Sequence, residues 1–255
     1  GHLGLVNAEY GYLELYVGRL RAIDSMGHKT LDDFVDVEYQ LYFYECVEKW
    51  SYLKFPYLKH LGRSEGWNRV GPLARLNVCE GISTPLAAYE RLQFLDANQG
   101  KTCNRTMFSH WARLIELLLC AEMMKDLLED DDLLSNDLVR RGERRNEGVG
   151  IIEAPRGTLI HHYQVDEKDR ITRCNLIVST THNNEAMNRA VKWVAENEIS
   201  GKAKISESLL NKVEVAIRAY DPCLSCATHA LGKMPLEISL LDSNGNTIDV
   251  KRKND

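Results

Sequence analysis

Between Thr106 and Leu128 apolar side chains return every three or four residues. Phe108, Trp111, Ile115, Leu118, Leu119, Met123 and Leu127 fall on one side, and Arg113, Glu116, Glu122 and Lys125 on the other. A stripe that wide and that long predicts a helix with one face in a core, so the rest of the chain must supply an apolar layer for it to pack against. The means are present: 44% of the 255 residues are hydrophobic, with only 17 Gly and 6 Pro. The same stretch cannot cross a bilayer. Its most apolar part, Leu114 to Met124, carries Glu116 and Glu122 and falls short of the roughly 18 to 20 unbroken apolar residues a span needs.

Around this helix the pattern changes several times. Gly4, Gly11 and Gly18 make turns and short strands the expectation for Leu3 to Leu20. From Leu31 to Trp50, Phe34, Val37, Leu41, Tyr44 and Val47 recur at helical spacing after an acidic start, which predicts a helix. Ser51 to Gly81, with Pro56, Gly62, Gly66, Gly71 and Pro72, reads as an irregular wrapping segment. Glu129 to Glu147 alternates acids with Arg140, Arg141, Arg144 and Arg145 and reads as a solvated connection.

Beyond it the period becomes two. Thr158 to Val165 and Arg170 to Ser179 predict a hairpin around Asp166 to Asp169. Asn183 or Asn184 is expected to cap a helix running to Ile199, with Met187, Val191, Val194 and Ala195 inside. A further helix spans Ser206 to Tyr220 and stops at Asp221-Pro222. Leu236 to Leu241 and Thr247 to Val250 read as a hairpin around Asn244-Gly245. The fold class is α+β, mainly α, in a single domain with small β-hairpins.

Thirty-two Lys and Arg face 37 Asp and Glu, a formal charge of −5 with neutral histidines. A nucleic-acid binder advertises itself by a cationic surplus, and none exists. Gly1 to Tyr12 has neither an initiator Met nor the order of a signal peptide, which suits a fragment or a processed chain. Seven scattered cysteines suit the reduced thiols of a cytoplasmic protein better than a disulfide framework.

Two clusters carry chemistry. Asp221-Pro222-Cys223-Leu224-Ser225-Cys226-Ala227-Thr228-His229 places two sulfurs within reach of one metal or of each other. The C-x-x-C leaves three readings open: half of a metal site, a redox pair, and coincidental cysteines. In Glu153-Ala154-Pro155-Arg156-Gly157-Thr158, Arg156 lies between a rigid and a permissive residue. It is either aimed into a site from a turn or is a surface arginine where a hairpin begins. His161 and His162 fall on opposite faces of a strand, so at least one of them is structural.

D-P-C-x-x-C-x-x-H near the C-terminus, after E-A-P-R-G-T-L-I-H-H-Y and V-S-T-T-H-N, resembles the large subunit of nickel-iron hydrogenases. It looks most like the cytoplasmic NAD-reducing and the F420- or heterodisulfide-reductase-linked groups. Trp50 to Tyr57, Arg69 to Asn77 and Ala112 to Glu116 extend the likeness, which runs from about residue 46 to the end.

The resemblance implies an Ni–Fe(CN)2(CO) centre. Cys223 is then the terminal nickel thiolate and Cys226 the thiolate shared by nickel and iron, a place for soft sulfur. Arg156 and Asp221 form a catalytic canopy lined by Pro155, and Thr180 hydrogen-bonds a cyanide. His229 and the Leu176 backbone carbonyl hold Mg2+. The partners implied are an iron-sulfur small subunit, NAD-, F420- or heterodisulfide-linked electron-transfer subunits, and a maturation endopeptidase that cuts between His229 and Ala230, removing 230–255.

One departure is serious. The family's R-x-C-G-x-C motif, which supplies two further thiolates, does not occur here. Residues 1–255 are therefore expected to be the C-terminal part of a hydrogenase large-subunit domain and inactive alone. The alternative is a metal-free, hydrogenase-like structural subunit of a redox complex. A zinc-stabilised binding module is a third class, and would hold zinc as this chain alone.

Overall fold

The computed structural model describes residues 1–35, 38–228 and 236–252. Strands β1 (His2–Val6), β2 (Arg19–Ile23) and β3 (Lys29–Asp33) form an antiparallel sheet in that order. All of β1 is buried, because elements cover both of its faces. Leu3 and Leu5 join Leu20, Ala22, Ile160 and Ile177 in one core cluster, while Val6 joins Leu73, Leu76 and Ile115 in the other.

The helix expected over Leu31 to Trp50 does not form. β3 is followed by one helical turn, α1 (Tyr39–Tyr42), and then by β4 (Phe43–Cys46), which pairs antiparallel with β5 (Phe55–Leu58). Phe43, buried, sits opposite buried Leu58, and the rings of Tyr44 and Tyr57 meet at a tilt beside them, 5.4 Å between centroids. Cross-strand aromatic pairing is a non-local gain that outweighs a helical spacing made of poor helix formers.

The segment read as irregular holds α2 (Gly62–Glu65) and α3 (Pro72–Val78). Pro72 opens α3 at the position where a missing N–H costs nothing, and nearly every α3 side chain is buried. α4 (Pro85–Ala97) also starts on proline. Its period is hidden because Leu86, Tyr89 and Leu92 face outward. α5 (Phe108–Leu128) is the expected core helix. Phe94, Phe108 and Trp111 meet edge-on between α4 and α5, and Ile115 and Leu119 lie fully inside. Glu116, placed on the polar face by its sequence, is instead buried.

The charged run is exposed, as expected. After it β6 (Glu147–Ala154), β7 (Gly157–Val165) and β8 (Ile171–Ile177) make a second antiparallel sheet, with the predicted hairpin as its β7–β8 half. His162 is the structural histidine of its pair, buried between Tyr39 and Glu147.

α6 (Ser179–His182) runs into α7 (Asn184–Val194) and a π turn at Ala195–Ile199. Asn183 caps nothing, because the chain is already helical there. Its amide grips Val70 instead, accepting from the Val70 amide at 2.9 Å and donating to its carbonyl at 3.2 Å. α8 (Glu207–Arg218) is capped by Ser206. α9 (Leu224–Thr228) and the hairpin β9 (Glu237–Leu241) and β10 (Thr247–Arg252) follow. Helix outweighs strand, 38% against 25%, in an α+β fold. Among the described residues no helix is long and apolar enough to cross a membrane.

Candidate functional site

The β6–β7 connection is the shortest a hairpin allows. Ala154 pairs with Gly157, leaving Pro155 and Arg156 at the tip. Gly157 has φ +128°, and a Cβ there would lie 2.4 Å from Val70 Cγ2 and 2.5 Å from the Gly71 nitrogen. Gly71, at φ +96°, meets the same turn from the other side, where a Cβ would stand 2.8 Å from the Arg156 carbonyl oxygen. Both positions need glycine because two backbones touch there, so the tip is pressed onto the start of α3.

From that tip Arg156 reaches the segment before α9. Its Nε donates to the Asp221 carbonyl at 2.6 Å, and the Asp221 carboxylate lies 3.2 Å from Nε and 3.4 Å from Nη2. Asp221 has φ +49°, a left-handed conformation uncommon for a residue with a side chain. Strained backbone of this kind persists where surrounding contacts over-determine it.

Two residues on, the Cys223 amide donates to Thr180 Oγ1 at 3.1 Å. Thr180 is buried in α6, and its neighbour Ser179 donates to the Gly157 carbonyl at 2.6 Å. The short helix α6 thus touches both the arginine turn and the cysteine segment. Cys223 is half-buried and Cys226 exposed. Their sulfurs are joined in this structure, with Cα atoms 5.4 Å apart; reduced to thiolates, the two sulfurs of a C-x-x-C turn can reach one metal.

Of the residues expected in a site, Arg156, Pro155, Asp221, Thr180, Cys223 and Cys226 are brought together. Leu176 lies opposite His161 in the β7–β8 register, on the strand leading into α6. His229 and Ala230 lie outside the described residues. Cys46, Cys79, Cys103, Cys120 and Cys174 are unpaired, and among the described residues no group of three or more His, Cys, Asp or Glu could hold a metal. What the described residues offer a soft metal is therefore two sulfurs, a donor set that suits nickel but does not complete its coordination.

Sequence reading missed two features. His182, at the end of α6, is buried with no hydrogen-bond partner for Nε2, and burial lowers its pKa to about 4. Beneath the Arg156 tip lies a buried ionic cluster of Arg75 with Glu116 and Glu153. Its signal was a single cation inside the apolar stretch Val70 to Val78. Burial opposes the Arg75 charge, but the two carboxylates outweigh it and hold its pKa above the usual arginine value. Glu153, wholly buried, is raised by burial despite Arg75.

A family profile described as nickel-dependent hydrogenase matches residues 20–229. The chain is 50% identical over 244 residues to the NAD-reducing hydrogenase HoxS subunit beta of Cupriavidus necator, covering 94% of this chain and 50% of that protein. It is 43% identical over 243 residues to a subunit of the F420-non-reducing hydrogenase vhc of Methanococcus voltae, with the same two coverages of 94% and 50%. A solved structure of an NAD+-reducing [NiFe]-hydrogenase in the H2-reduced state superimposes with a TM-score of 0.85 at 51% identity, over 89% of this chain and 50% of that one. The chain spans about half the length of the curated relatives it matches.

Proposed function

Since the chain belongs to the nickel-dependent hydrogenase family, we propose that it is the C-terminal portion of a [NiFe] hydrogenase catalytic subunit. In complete form that subunit would oxidise H2 reversibly to protons and electrons. The observation that carries this reading is the convergence of Arg156, Asp221 and Thr180 on the Cys223/Cys226 pair.

When bound, a nickel-iron centre carrying carbon monoxide and cyanide supplies Lewis acidity toward H2 and a place for its electrons. With the two sulfurs reduced to thiolates, Cys223 would serve as a ligand to nickel and Cys226 as the ligand offered to nickel and iron. Thr180 Oγ1 already accepts from the Cys223 amide, so its single hydroxyl proton is free to donate outward, to a cyanide. Such a donor matters because a buried anionic ligand without partners is costly. Asp221 fixes the Arg156 guanidinium by its carbonyl and its carboxylate, leaving the remaining fork to donate toward the centre beside Pro155. A proton leaving the substrate is taken at the Cys223 sulfur or handled by Arg156.

By the same reading His229 and the Leu176 carbonyl hold Mg2+, and an endopeptidase removes 230–255 by cutting at His229-Ala230. Electrons leave for an iron-sulfur small subunit. The likeness to HoxS subunit beta supports NAD as the final acceptor, through partner subunits in the cytoplasm; F420- or heterodisulfide-linked subunits fill that role in the other case.

The test is hydrogen-dependent dye reduction by the complete subunit with its iron-sulfur partner, beside residues 1–255 alone. Uptake by the complete subunit but none by the chain, which offers two thiolates for a four-thiolate cage, is the expected result. No uptake by the complete subunit, or infrared bands of bound carbon monoxide and cyanide in the chain alone, would overturn it.

A further inference from the structure

Arg75 lies 1% exposed on α3, under the tip that carries Arg156. Its fork-shaped guanidinium is spent completely. Nε and Nη2 grip the two Glu116 oxygens at 2.6 and 2.5 Å, and Nη1 donates to Glu153 Oε2 at 2.7 Å. The two remaining hydrogen bonds go to backbone: Nη1 to the Ala154 carbonyl at 3.0 Å and Nη2 to the Pro155 carbonyl at 3.2 Å. Those are the two residues immediately before Arg156.

The carboxylates that hold Arg75 are themselves anchored. Glu116 stands on the core helix α5, and Glu153 Oε1 accepts from the Thr158 hydroxyl at 2.6 Å and the Leu5 amide at 3.1 Å. Glu153 and Thr158 pair across the same hairpin, so the cluster clamps both arms of the turn as well as its tip. An ion cluster in a core is a weak source of stability, since desolvating its charges offsets most of their attraction. It does give a fixed direction, because five donors in one plane leave the carbonyls they bind a single arrangement.

We infer that Arg75 is a positioning residue, which sets the aim of Arg156 through the Ala154 and Pro155 carbonyls. The inference rests on the proposed role of Arg156 in hydrogen chemistry. Lysine at 75 keeps the charge but cannot hold Glu116 in two places and both carbonyls at once, so the tip gains freedom while the core stays filled.

The experiment uses Arg75→Lys, Arg156→Lys and the double variant in the complete subunit, with residues 1–255 carrying Arg75→Lys measured in parallel. In the complete subunit, Arg75→Lys should lower hydrogen-oxidation turnover roughly tenfold to a hundredfold at full metal content and unchanged KM, the range for groups that orient a reacting group. The double variant should be no slower than Arg156→Lys, because Arg75 acts through that side chain. In the chain itself, amide exchange of the peptide covering 150–160 should quicken by about tenfold or more while β9–β10 is unchanged, as expected for a local opening.

Additive losses in the double variant, or exchange that rises equally everywhere, would overturn the inference and leave Arg75 a structural residue. Full turnover in Arg156→Lys would instead overturn the functional reading of Arg156, with the exchange result still deciding whether Arg75 holds the tip. If Arg75→Lys does not fold, Glu116→Gln loosens the same clamp and is decided by the same readouts.

Discussion

Arg156 meets Asp221 twice: its Nε donates to the Asp221 carbonyl at 2.6 Å and lies 3.2 Å from the carboxylate of the same residue. The two side chains are 41% and 49% exposed, so their ion pair contributes little to stability. Its consequence is geometric. It joins a hairpin tip to the segment that carries the cysteines, 65 residues later in the chain.

Arg156→Lys keeps the charge at the tip and loses the planar fork that holds carbonyl and carboxylate together. In the complete enzyme, turnover should fall by about two orders of magnitude, the range for one acid-base group, with metal content and fold retained. Hydrogen uptake and metal analysis on the same preparation check this. Undiminished uptake at full metal occupancy would return Arg156 to the status of a surface residue.

His182 gives the fold a pH dependence of known sign. Its folded pKa is lowered to about 4 from an ordinary 6.5 by burial. Between those values the unfolded chain binds a proton that the folded chain refuses, so stability is whole above pH 6.5 and is lost as the pH falls toward 4. The shift corresponds to about 3 kcal/mol. His182→Phe, beside Phe43, whose ring lies 5.9 Å away edge-on, removes the titrating group. Denaturant unfolding from pH 7 to pH 4 should show wild type losing that amount relative to the variant. Parallel curves would mean that His182 is not the titrating group, and taking the difference cancels His2, a second buried histidine whose pKa is lowered by burial.

If 230–255 holds the cysteine segment open for metal delivery and is then cut away, the mature subunit ends at His229. Intact mass spectrometry of an active, nickel-replete preparation should find that terminus. An active enzyme still ending at Asp255 would make the β9–β10 hairpin a permanent part of the fold.

What the sequence disclosed were the elements with local periods. α5, the β7–β8 hairpin, α7 and α8 were legible because each repeats its own spacing of three to four or of two. Leu31 to Trp50 misled because its aromatic spacing fits a helix until β5 offers Phe43 and Tyr44 partners. Glu116 misled for a similar reason: its charge belongs on a polar face until Arg75, 41 residues earlier, is folded against it. The site behaves alike. Motif residues named Arg156, Thr180, Cys223 and Cys226 one by one, but nothing local says that the Thr180 hydroxyl takes the Cys223 amide or that Asn183 gives up capping to hold Val70.

The claim on which everything else depends is that Cys223 and Cys226 are ligands to nickel. It is met most directly by metal analysis of the complete subunit carrying Cys223→Ser, matured and purified as the wild type is. A serine oxygen is a harder donor that nickel in a thiolate site does not accept in place of sulfur. Loss of nickel together with loss of hydrogen oxidation, in a protein that still folds, is the expected result. A variant that keeps one nickel per molecule and oxidises hydrogen at the wild-type rate would contradict it.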